Sequence, residues 1–301
     1  MRGARRAATE TYPIDRRGSE HRATKQMAVA ADFQQAAKGR LPCSVTALFV
    51  SDLHLTPERP GVTRAFLGFL HNADADALYI LGDLFEAWVG DDDDAPLARA
   101  VVDALAAVRA RGIALFFLHG NRDFTVWKRF ARETGAQLLG DHELIEIDGL
   151  RLLLLHGDTL CTDDEAYQRF RRRVRHPATR FVLLHLPLAL RRRIARDWRA
   201  ASQRHNRNKP EYIMDVNADA VLAEFRASGA DAMIHGHTHR PGRHSYAVDG
   251  RTVERVVLGD WTETTGWYAR IGATGAIELD RFPISPPADP SESETRCPAP
   301  R

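Results

Sequence analysis

The segment IALFFLHGNRD, residues 113–123, passes from six apolar residues directly into His-Gly-Asn-Arg-Asp. A short apolar run bounded by turn-forming residues is typical of a buried β-strand. Asn and Asp are side chains of metal-ligand type, and in open α/β sheets ligands bind beyond the carboxyl ends of the strands. The segment therefore predicts a core strand whose end carries functional side chains.

Four other apolar runs end in the same way. They are TALFVS (46–51) before DLHL, ADALYIL (75–81) before GDLFEAW, LRLLLL (150–155) before HGDTL, and ADAMI (230–234) before HGHTHRP. Apolar residues at helical spacing from Pro96 to Arg111 predict a helix between two of these strands. Alternating strands and helices predict an α/β layered core. Five such strand ends in one chain are hard to reach by chance, so we expect them to meet in one site.

The polar motifs at these strand ends supply carboxylates, imidazoles and one carboxamide, but no thiolate. This donor set suits Mn, Fe or Zn better than a soft metal. Two metals about 3.5–4 Å apart could clamp the attacking and leaving oxygens of a phosphoryl displacement, with a carboxylate as the natural bridge. Strand alternation would point Asp52 and His54 to one side, and likewise His237 and His239. The motifs are Asp52-Leu-His54, Gly82-Asp83, Gly120-Asn121-Arg122-Asp123, His156-Gly157-Asp158 and Gly236-His237-Thr-His239.

In this order, the motifs DLH, GD, GN, HGD and GHTH resemble those of the calcineurin-like metallophosphoesterases. The segments FVSDLHL, YILGDLFEAWVGDD, HGNRDF, LLHGDTLCTDDEAYQRFRRRVR and IHGHTHRP narrow the resemblance to the family's pyrophosphatases of lipid A biosynthesis. The resemblance extends from about Thr46 to about Pro283. It implies a four-layer α-β-β-α sandwich and a hydrolase that cleaves a pyrophosphate bond.

Transferred residue by residue, the resemblance implies two Mn²⁺ ions bridged by Asp83. One ion would be held by Asp52, His54, Asp83 and His239. The second ion would be held by Asp83, Asn121, His156 and His237. The implied catalytic residues are Asp83, Asn121, Arg122 and His237. The implied substrate contacts are Asn121, Arg122, Asp164, Ser202, Asn206, Lys209 and His237.

The implied reaction is attack of water at the α-phosphorus of UDP-2,3-diacylglucosamine, which gives UMP and 2,3-diacylglucosamine 1-phosphate. Arg122 stands where many members of the superfamily have a His that can protonate a leaving alkoxide. The leaving group of a pyrophosphate is a phosphate, which is already a stable anion and needs charge neutralisation more than a proton. Because Arg is always charged and can bind phosphate oxygens in a bidentate manner, the GNRD motif favours phosphoanhydride cleavage.

The segment from Arg169 to Lys209 contains 13 Arg and 1 Lys but a single acid, Asp197, with Leu, Phe and Trp residues interleaved. It lies between the HGDTL and GHTH motifs, so we expect a basic helical cap over the site at about residues 164–210. A basic and apolar surface is typical of binding to an anionic membrane or a lipid. The resemblance likewise implies a cytoplasmic, peripheral protein at the inner membrane.

Both ends of the chain differ from this region. Residues 1–44 and 285–301 are polar and biased in composition, which predicts disorder around one domain at 45–284. For residues 1–44 the alternative is upstream sequence read from a misplaced start, with Met27 as the true start. Three well-separated Cys residues match neither a disulfide framework nor a zinc ribbon, and they indicate a reducing compartment.

Two other functions compete with this interpretation. A dimetal nuclease or phosphodiesterase would use the same core and bind a nucleic-acid backbone with the basic segment. The apolar content of that segment and Arg122 argue against this, so no nucleic-acid partner is expected. A non-enzymatic scaffold usually has lost ligands, and none of the seven ligand positions is lost here. The acidic run Asp91–Asp94 is interpreted as a solvated loop, with cation binding as the alternative.

Overall fold

Two β-sheets form the centre of the computed structural model, which describes residues 45–206, 215–272 and 274–285. The first sheet has the strand order β11-β10-β1-β2-β3-β4. Strands β1 to β4 run parallel, whereas β10 pairs antiparallel with β1 and with β11. The strands are β1 (Ala47–Val50), β2 (Ala77–Ile80), β3 (Ala114–Phe117), β4 (Gln137–Leu138), β10 (Thr265–Ile271) and β11 (Ile277–Pro283).

The second sheet has the strand order β5-β6-β7-β9-β8. Its central strands β6, β7 and β9 are parallel, and antiparallel partners close both edges. The parallel strands of both sheets therefore end in loops at which ligands can bind. The strands are β5 (His142–Ile147), β6 (Leu150–Leu155), β7 (Ala232–His235), β8 (Gly242–Val248) and β9 (Arg251–Val257).

The described part of the chain contains seven helices. Pro is the first residue of α1, α2 and α5, where its fixed φ suits a helix start and its missing N–H costs nothing. The helices are α1 (Pro60–Asn72), α2 (Pro96–Ala110), α3 (Lys128–Thr134), α4 (Glu165–Val174), α5 (Pro177–His185), α6 (Leu188–Asn206) and α7 (Ala218–Ser228).

Three clusters of buried side chains define four layers. The first cluster joins one face of the first sheet, including Leu78, to α1, α2 and α3. The second cluster joins the other face of that sheet to the second sheet, for example Tyr79 with Leu154. The third joins the outer face of the second sheet to α7 through Phe225. The predicted α-β-β-α sandwich is therefore confirmed.

The predicted strands and the helix from Pro96 agree with the structure to within two residues at each end. The reason given for the paired ligands is wrong, however. Asp52, His54, His237 and His239 lie beyond the ends of β1 and β7, and all four have positive φ angles of 49° to 68°. Sharp turns, and not strand alternation, point these side chains to one side.

Helices α4, α5 and α6 form a cap within the predicted segment 164–210. Arg191 of α6 is only 3% exposed and donates to Asp92 Oδ1 at 2.7 Å and to the Val89 carbonyl at 2.6 Å. Arg192 pairs with Asp93 at 2.5 Å. The interpretation of residues 91–94 as a solvated loop is therefore wrong for Asp93, whose side chain is 16% exposed, but not for Asp92, which is 57% exposed. Both acids attach the cap to the core.

Asp91 has a different partner from its neighbours. Its carboxylate accepts hydrogen bonds from the backbone N–H groups of Trp127, Arg129 and Phe130 at 2.9 to 3.0 Å. These N–H groups belong to the first turn of α3 and have no partner within that helix.

Within the described residues, no helix is both long and apolar enough to cross a bilayer.

Candidate active site

The seven predicted ligand residues come together in the loops after β1, β2, β3, β6 and β7. Their side chains form two adjoining groups around Asp83. In the first group, the ligand atoms of Asp52, His54 and His239 lie within 4.8 Å of one another. His54 Nε2 and His239 Nε2 are 3.2 Å apart, and Asp83 Oδ2 lies 3.9 Å from His54 Nε2. The ligand atoms of these three residues thus lie close to one carboxylate oxygen of Asp83.

The second group uses the other oxygen of Asp83. Asp83 Oδ1 lies 3.7 Å from His156 Nε2. Asn121 Oδ1 lies 2.9 Å from His156 Nε2 and 3.0 Å from His237 Nδ1. The two carboxylate oxygens of Asp83 therefore face different sets of donors, which is the arrangement required of a residue that bridges two metals.

Backbone turns of unusual conformation create this convergence. Asp52, His54, Asp83, His237 and His239 all lie in the left-handed region, which costs a non-glycine residue roughly 1–3 kcal/mol. Such strain persists only where the surrounding structure compensates for it, and it clusters at functional sites. Two neighbouring glycines are required by close packing. A Cβ at position 120 would lie 2.1 Å from Asp83 Oδ1, and one at position 236 would lie 2.0 Å from Asp52 Oδ2.

In three of the histidines, one ring nitrogen points away from the centre. That nitrogen faces an oxygen acceptor. His156 Nδ1 donates to the Leu81 carbonyl at 2.9 Å, which leaves the lone pair of Nε2 directed at the site. His54 Nδ1 lies 3.3 Å from Glu86 Oε2, and His239 Nδ1 lies 3.6 Å from Asp260 Oδ2. Outer acceptors of this kind set the tautomer and orientation of metal-binding histidines.

Sequence reasoning missed Glu86 and Asp260. The signal for Asp260 was present, because VVLGD (256–260) repeats the pattern of an apolar strand followed by Gly-Asp. Glu86 stands in the motif GDLFEAW with no spacing that distinguishes it from a surface acid. Backbone pairing of residues 54–55 with residues 83–86, which includes the isolated β-bridge between Leu55 and Phe85, brings Glu86 back to His54.

Asp123 and Asp158 hold neighbouring loops together. Asp123 is fully buried and accepts from the backbone N–H groups of Gly120 and Leu84, both at 2.8 Å. It therefore ties the Asn121 loop to the Asp83 loop. Burial, together with the charge of Asp83, raises the pKa of Asp123 to about 7. Asp158 accepts from Tyr167 Oη at 2.6 Å and from Arg171 Nε at 2.7 Å, which ties its loop to α4.

Buried carboxylates make the centre attractive to cations. Burial would lower the pKa of His239, but Asp52 outweighs it and raises this pKa to about 8. Burial and His156 lower the pKa of His237 to about 4, so its ring is neutral at pH 7. Asp52 Oδ1 is buried and faces His239 Nε2 at 3.4 Å and His54 Nε2 at 3.8 Å without a well-formed hydrogen bond. A buried carboxylate oxygen surrounded by imidazole nitrogens can be compensated by a cation that both kinds of donor bind, so the donor set fits divalent metals.

Arg122 lies at the edge of both groups. Its backbone N–H donates to Asp83 Oδ1 at 2.8 Å, and its guanidinium Nε lies 4.0 Å from Asp83 Oδ2. Its side chain is 21% exposed and lines the cavity above the centre. The permanent charge is thus held beside the carboxylate that both donor groups share, and it faces the cavity.

A cavity of about 740 Å³ lies over the two groups, between the core and the cap. Helix α6 closes it with Trp198, Arg199 and Ser202, and α4 contributes Tyr167 and Phe170. Arg199 of α6 also pairs with Glu86, the acid that faces His54. The cap therefore contacts an acid that lies next to a predicted metal ligand, and it also lines the cavity.

The expected substrate contacts beyond the centre are only partly described. Asp164 and Ser202 line the cavity, and Asp164 also caps α4 by accepting from the Tyr167 N–H at 3.1 Å. Asn206 is the last residue of α6, and Lys209 lies outside the described residues. Cys161 lines the cavity too, but burial raises the pKa of its thiol to about 12, which makes it a poor nucleophile.

Comparison with known proteins decides the family. Residues 45–241 match the family model described as "Calcineurin-like phosphoesterase". The chain belongs to the calcineurin-like phosphoesterases. Membership agrees with the four layers and with the loops that gather carboxylates and imidazoles at the strand ends.

Curated relatives within this phosphoesterase family cover most of the chain. A "UDP-2,3-diacylglucosamine hydrolase" of Azotobacter vinelandii is 49% identical over 242 residues, which are 80% of this chain and all of the relative. The protein of the same name from Photorhabdus laumondii is 52% identical over 239 residues, 79% of this chain and 99% of the relative. Among solved structures, an archaeal phosphodiesterase covers 79% of this chain at 13% identity, with a TM-score of 0.42.

As in a phosphoesterase of this family, the geometry provides for a dimetal site. Two sets of donors share Asp83, and carboxylates of Asp52 and Asp83 supply the negative charge that binds divalent cations. Arg122 adds a positive charge on the cavity side. Together these groups can bind, orient and polarise a phosphate ester or anhydride.

Proposed function

We propose that this chain hydrolyses the pyrophosphate bond of UDP-2,3-diacylglucosamine, a step of lipid A biosynthesis. Relatives with this name at about half identity over 80% of the chain support the substrate. One structural observation carries the chemistry: Asp83 presents its two oxygens to separate donor groups directly beneath a cavity with basic and aromatic walls. Such a cavity suits a diphosphate that carries acyl chains.

The proposed metal ligands are the two groups around Asp83. Asp52, His54, Asp83 and His239 would hold one ion, and Asp83, Asn121, His156 and His237 the other. We propose Mn²⁺ because the donors are oxygen and imidazole nitrogen without a thiolate. When bound, such a pair of cations supplies Lewis-acid charge and a water nucleophile at neutral pH.

The chain's own residues would position the diphosphate. Arg122 would bind phosphate oxygens in a bidentate manner and neutralise the departing sugar 1-phosphate. Asn121 and His237, at the cavity face of the second group, would contact the α-phosphate. The oxygen of water would then bond to the α-phosphorus, and the bridging P–O bond would break. The products would be UMP and 2,3-diacylglucosamine 1-phosphate.

The cap would select the lipid part of the substrate. Phe124, Phe170 and Trp198 provide apolar cavity walls that can cover acyl chains. Asp164 and Ser202 supply polar contacts in the same wall, and we assign Asn206 and Lys209 to this substrate set as well. The mixture of apolar and polar groups matches a diacylated sugar better than a nucleic-acid backbone.

We further propose that the protein binds the cytoplasmic face of the inner membrane as a peripheral protein. Its substrate is a lipid, and the cap exposes Phe181 at 64% and Val182 at 60% beside many arginines. Exposed apolar side chains among basic ones favour an anionic bilayer surface.

Product analysis tests the enzymatic proposal. Purified protein with Mn²⁺ and detergent-dispersed UDP-2,3-diacylglucosamine should release UMP and the lipid monophosphate, and Asp83→Ala should release neither. Glu254→Gln, which removes a charge on β9 outside the cavity, serves as a matched control and should retain turnover. Cleavage of a generic phosphodiester without turnover of the lipid would refute the substrate assignment and favour the nuclease alternative.

A further inference from the structure

A second concavity lies on the cap, and none of its lining residues lines the active-site cavity. Arg169, Arg172, Arg173 and His176 stand at positions i, i+3, i+4 and i+7 along and just after α4, so they share one face. Together with Thr179 of α5 they line a pocket of about 330 Å³. We call it the α4–α5 pocket.

The α4–α5 pocket carries positive charge that nearby acids compensate only in part. Arg169 pairs with Glu165 at 3.0 Å. Among the residues that the structure describes, no carboxylate forms an ion pair with Arg172 or Arg173. The first turn of α5 also points toward this region, because His176 caps that helix by accepting from the Ala178 N–H. Unpaired guanidiniums beside a helix N-terminus favour an anion with several oxygens, such as a phosphate.

Large apolar side chains are exposed on α5, the helix that supplies Thr179 to the pocket. Val182 follows Thr179 by three residues and therefore lies on the same face of α5. It is 60% exposed, and Phe181 next to it is 64% exposed. Trp127 of the core is 44% exposed and stacks on Arg180 at 4.6 Å from its ring centroid. Exposed apolar side chains next to a cationic pocket are disfavoured in water but suit the interface of a bilayer.

The α4–α5 pocket continues the wall of the active-site cavity. Ala166 lines that cavity and precedes Arg169 and Arg173 by three and seven residues, so all three lie on one stripe of α4. At 1.5 Å per residue, Arg169 lies about 5 Å and Arg173 about 10 Å along the helix from Ala166. A phospholipid bound there would hold the bilayer surface close to the site where a lipid substrate is cleaved.

We propose that the α4–α5 pocket binds the phosphate of an anionic phospholipid, while Phe181 and Val182 enter the bilayer interface beside it. This proposal rests on the proposed lipid-directed function. It goes beyond that function in naming the headgroup site and the residues that orient the cap on the membrane. The apolar rim favours a lipid over a nucleic acid, whose backbone offers no apolar phase.

Vesicle binding tests the proposal with the full chain. Partition into vesicles of phosphatidylcholine with one quarter phosphatidylglycerol would be compared with phosphatidylcholine alone. The variant Arg172→Glu/Arg173→Glu should bind the anionic vesicles roughly tenfold or more weakly. The matched variant Arg64→Glu/Arg132→Glu changes the net charge equally on α1 and α3, and it should bind nearly as wild type. Phe181→Ser/Val182→Ser should weaken binding without altering charge.

Each outcome has a defined meaning. Equal losses in the two charge variants would show non-specific attraction and overturn the headgroup site. Displacement from vesicles by inorganic phosphate would assign the pocket to a free anion, and displacement by single-stranded DNA would assign it to a nucleic acid; either overturns the proposal. Hydrolysis of detergent-dispersed substrate by wild type is measured separately, so failure of the enzymatic assignment is distinguishable from failure of vesicle binding.

Discussion

Arg122 brings a permanent positive charge to 4.0 Å from the carboxylate that the two donor groups share. A His at this position could donate a proton but would lose its charge near neutral pH. We expect Arg122→His to lower kcat for the pyrophosphate by roughly 100-fold, because charge on the leaving phosphate would be less well stabilised. Steady-state kinetics measures this, with metal content determined in parallel. Turnover near that of wild type would contradict the proposed role of Arg122.

Glu86 joins the cap to the centre, since it faces His54 Nδ1 at 3.3 Å and pairs with Arg199 of α6. We expect Glu86→Gln to weaken metal binding by about tenfold, because a neutral amide holds the His54 tautomer less firmly. Metal titration followed by calorimetry checks this.

Arg199→Gln provides the comparison for Glu86. It leaves the carboxylate beside His54 and removes a cation from the cavity wall, so it should raise KM while metal affinity stays near wild type. A loss of metal affinity in Arg199→Gln as large as in Glu86→Gln would show that the two residues act through folding of the cap alone.

At the scale of elements, the cap is attached to the core mainly by arginines, of which Arg191 is buried. Arg191 of α6 satisfies Asp92 and two carbonyls, those of Val89 and Leu186. Arg191→Met should keep the stem of the side chain but leave these acceptors unpaired. We expect faster amide exchange in α6 with little change in α1 or α7, because the cap lies outside the three core clusters. Uniform acceleration across the protein would contradict this separation.

Helix α4 is attached through Asp141, which accepts from Arg171 at 2.7 Å and Arg175 at 2.6 Å. Burial raises the pKa of Asp141, but both guanidiniums outweigh it and hold the pKa below the ordinary value of 3.8. The unfolded chain therefore binds the proton first as pH falls. The stabilisation is complete above the unfolded pKa and is lost as pH falls through the folded pKa.

This linkage gives a pH-dependent prediction. The difference in Tm between wild type and Asp141→Asn should be constant from about pH 5 to 8 and should shrink as the pH falls below about 4. Thermal unfolding at several pH values measures it. A difference that grows toward acid pH would have the wrong sign for a carboxylate with a lowered pKa.

For the whole molecule, metal binding should contribute to stability. The centre places two buried carboxylates among histidines, and cations that bind only the folded state stabilise it by mass action. At about 100 times the dissociation constant this amounts to about 3 kcal/mol, or roughly 5–10 °C in Tm. Thermal unfolding with Mn²⁺ and after chelation should show this shift in wild type. Asp83→Ala should lose most of it, and an equal shift in that variant would contradict the bridging assignment.

Much of the fold and of the site was predictable from the sequence. Apolar runs such as IALFFL report burial directly, so β3 and the other core strands were placed to within two residues. Such runs are followed closely by Asp52, Asp83, Asn121 and His156. Because ligands bind beyond the carboxyl ends of parallel strands, side chains at these positions are expected to meet in one site.

Tertiary structure alone decided the rest, because the deciding contacts join residues far apart in sequence. Glu86 became an outer partner of His54 only because β1 and β2 pair side by side in the first sheet. Asp260 reached His239 in the same way, because β7 and β9 pair in the second sheet. No local pattern shows that the acids at 92 and 93 pair with Arg191 and Arg192 of α6, about 100 positions later. The local sequence pattern indicates which residues are buried and where strands end. The partner of a polar side chain depends instead on packing between elements that are distant in sequence.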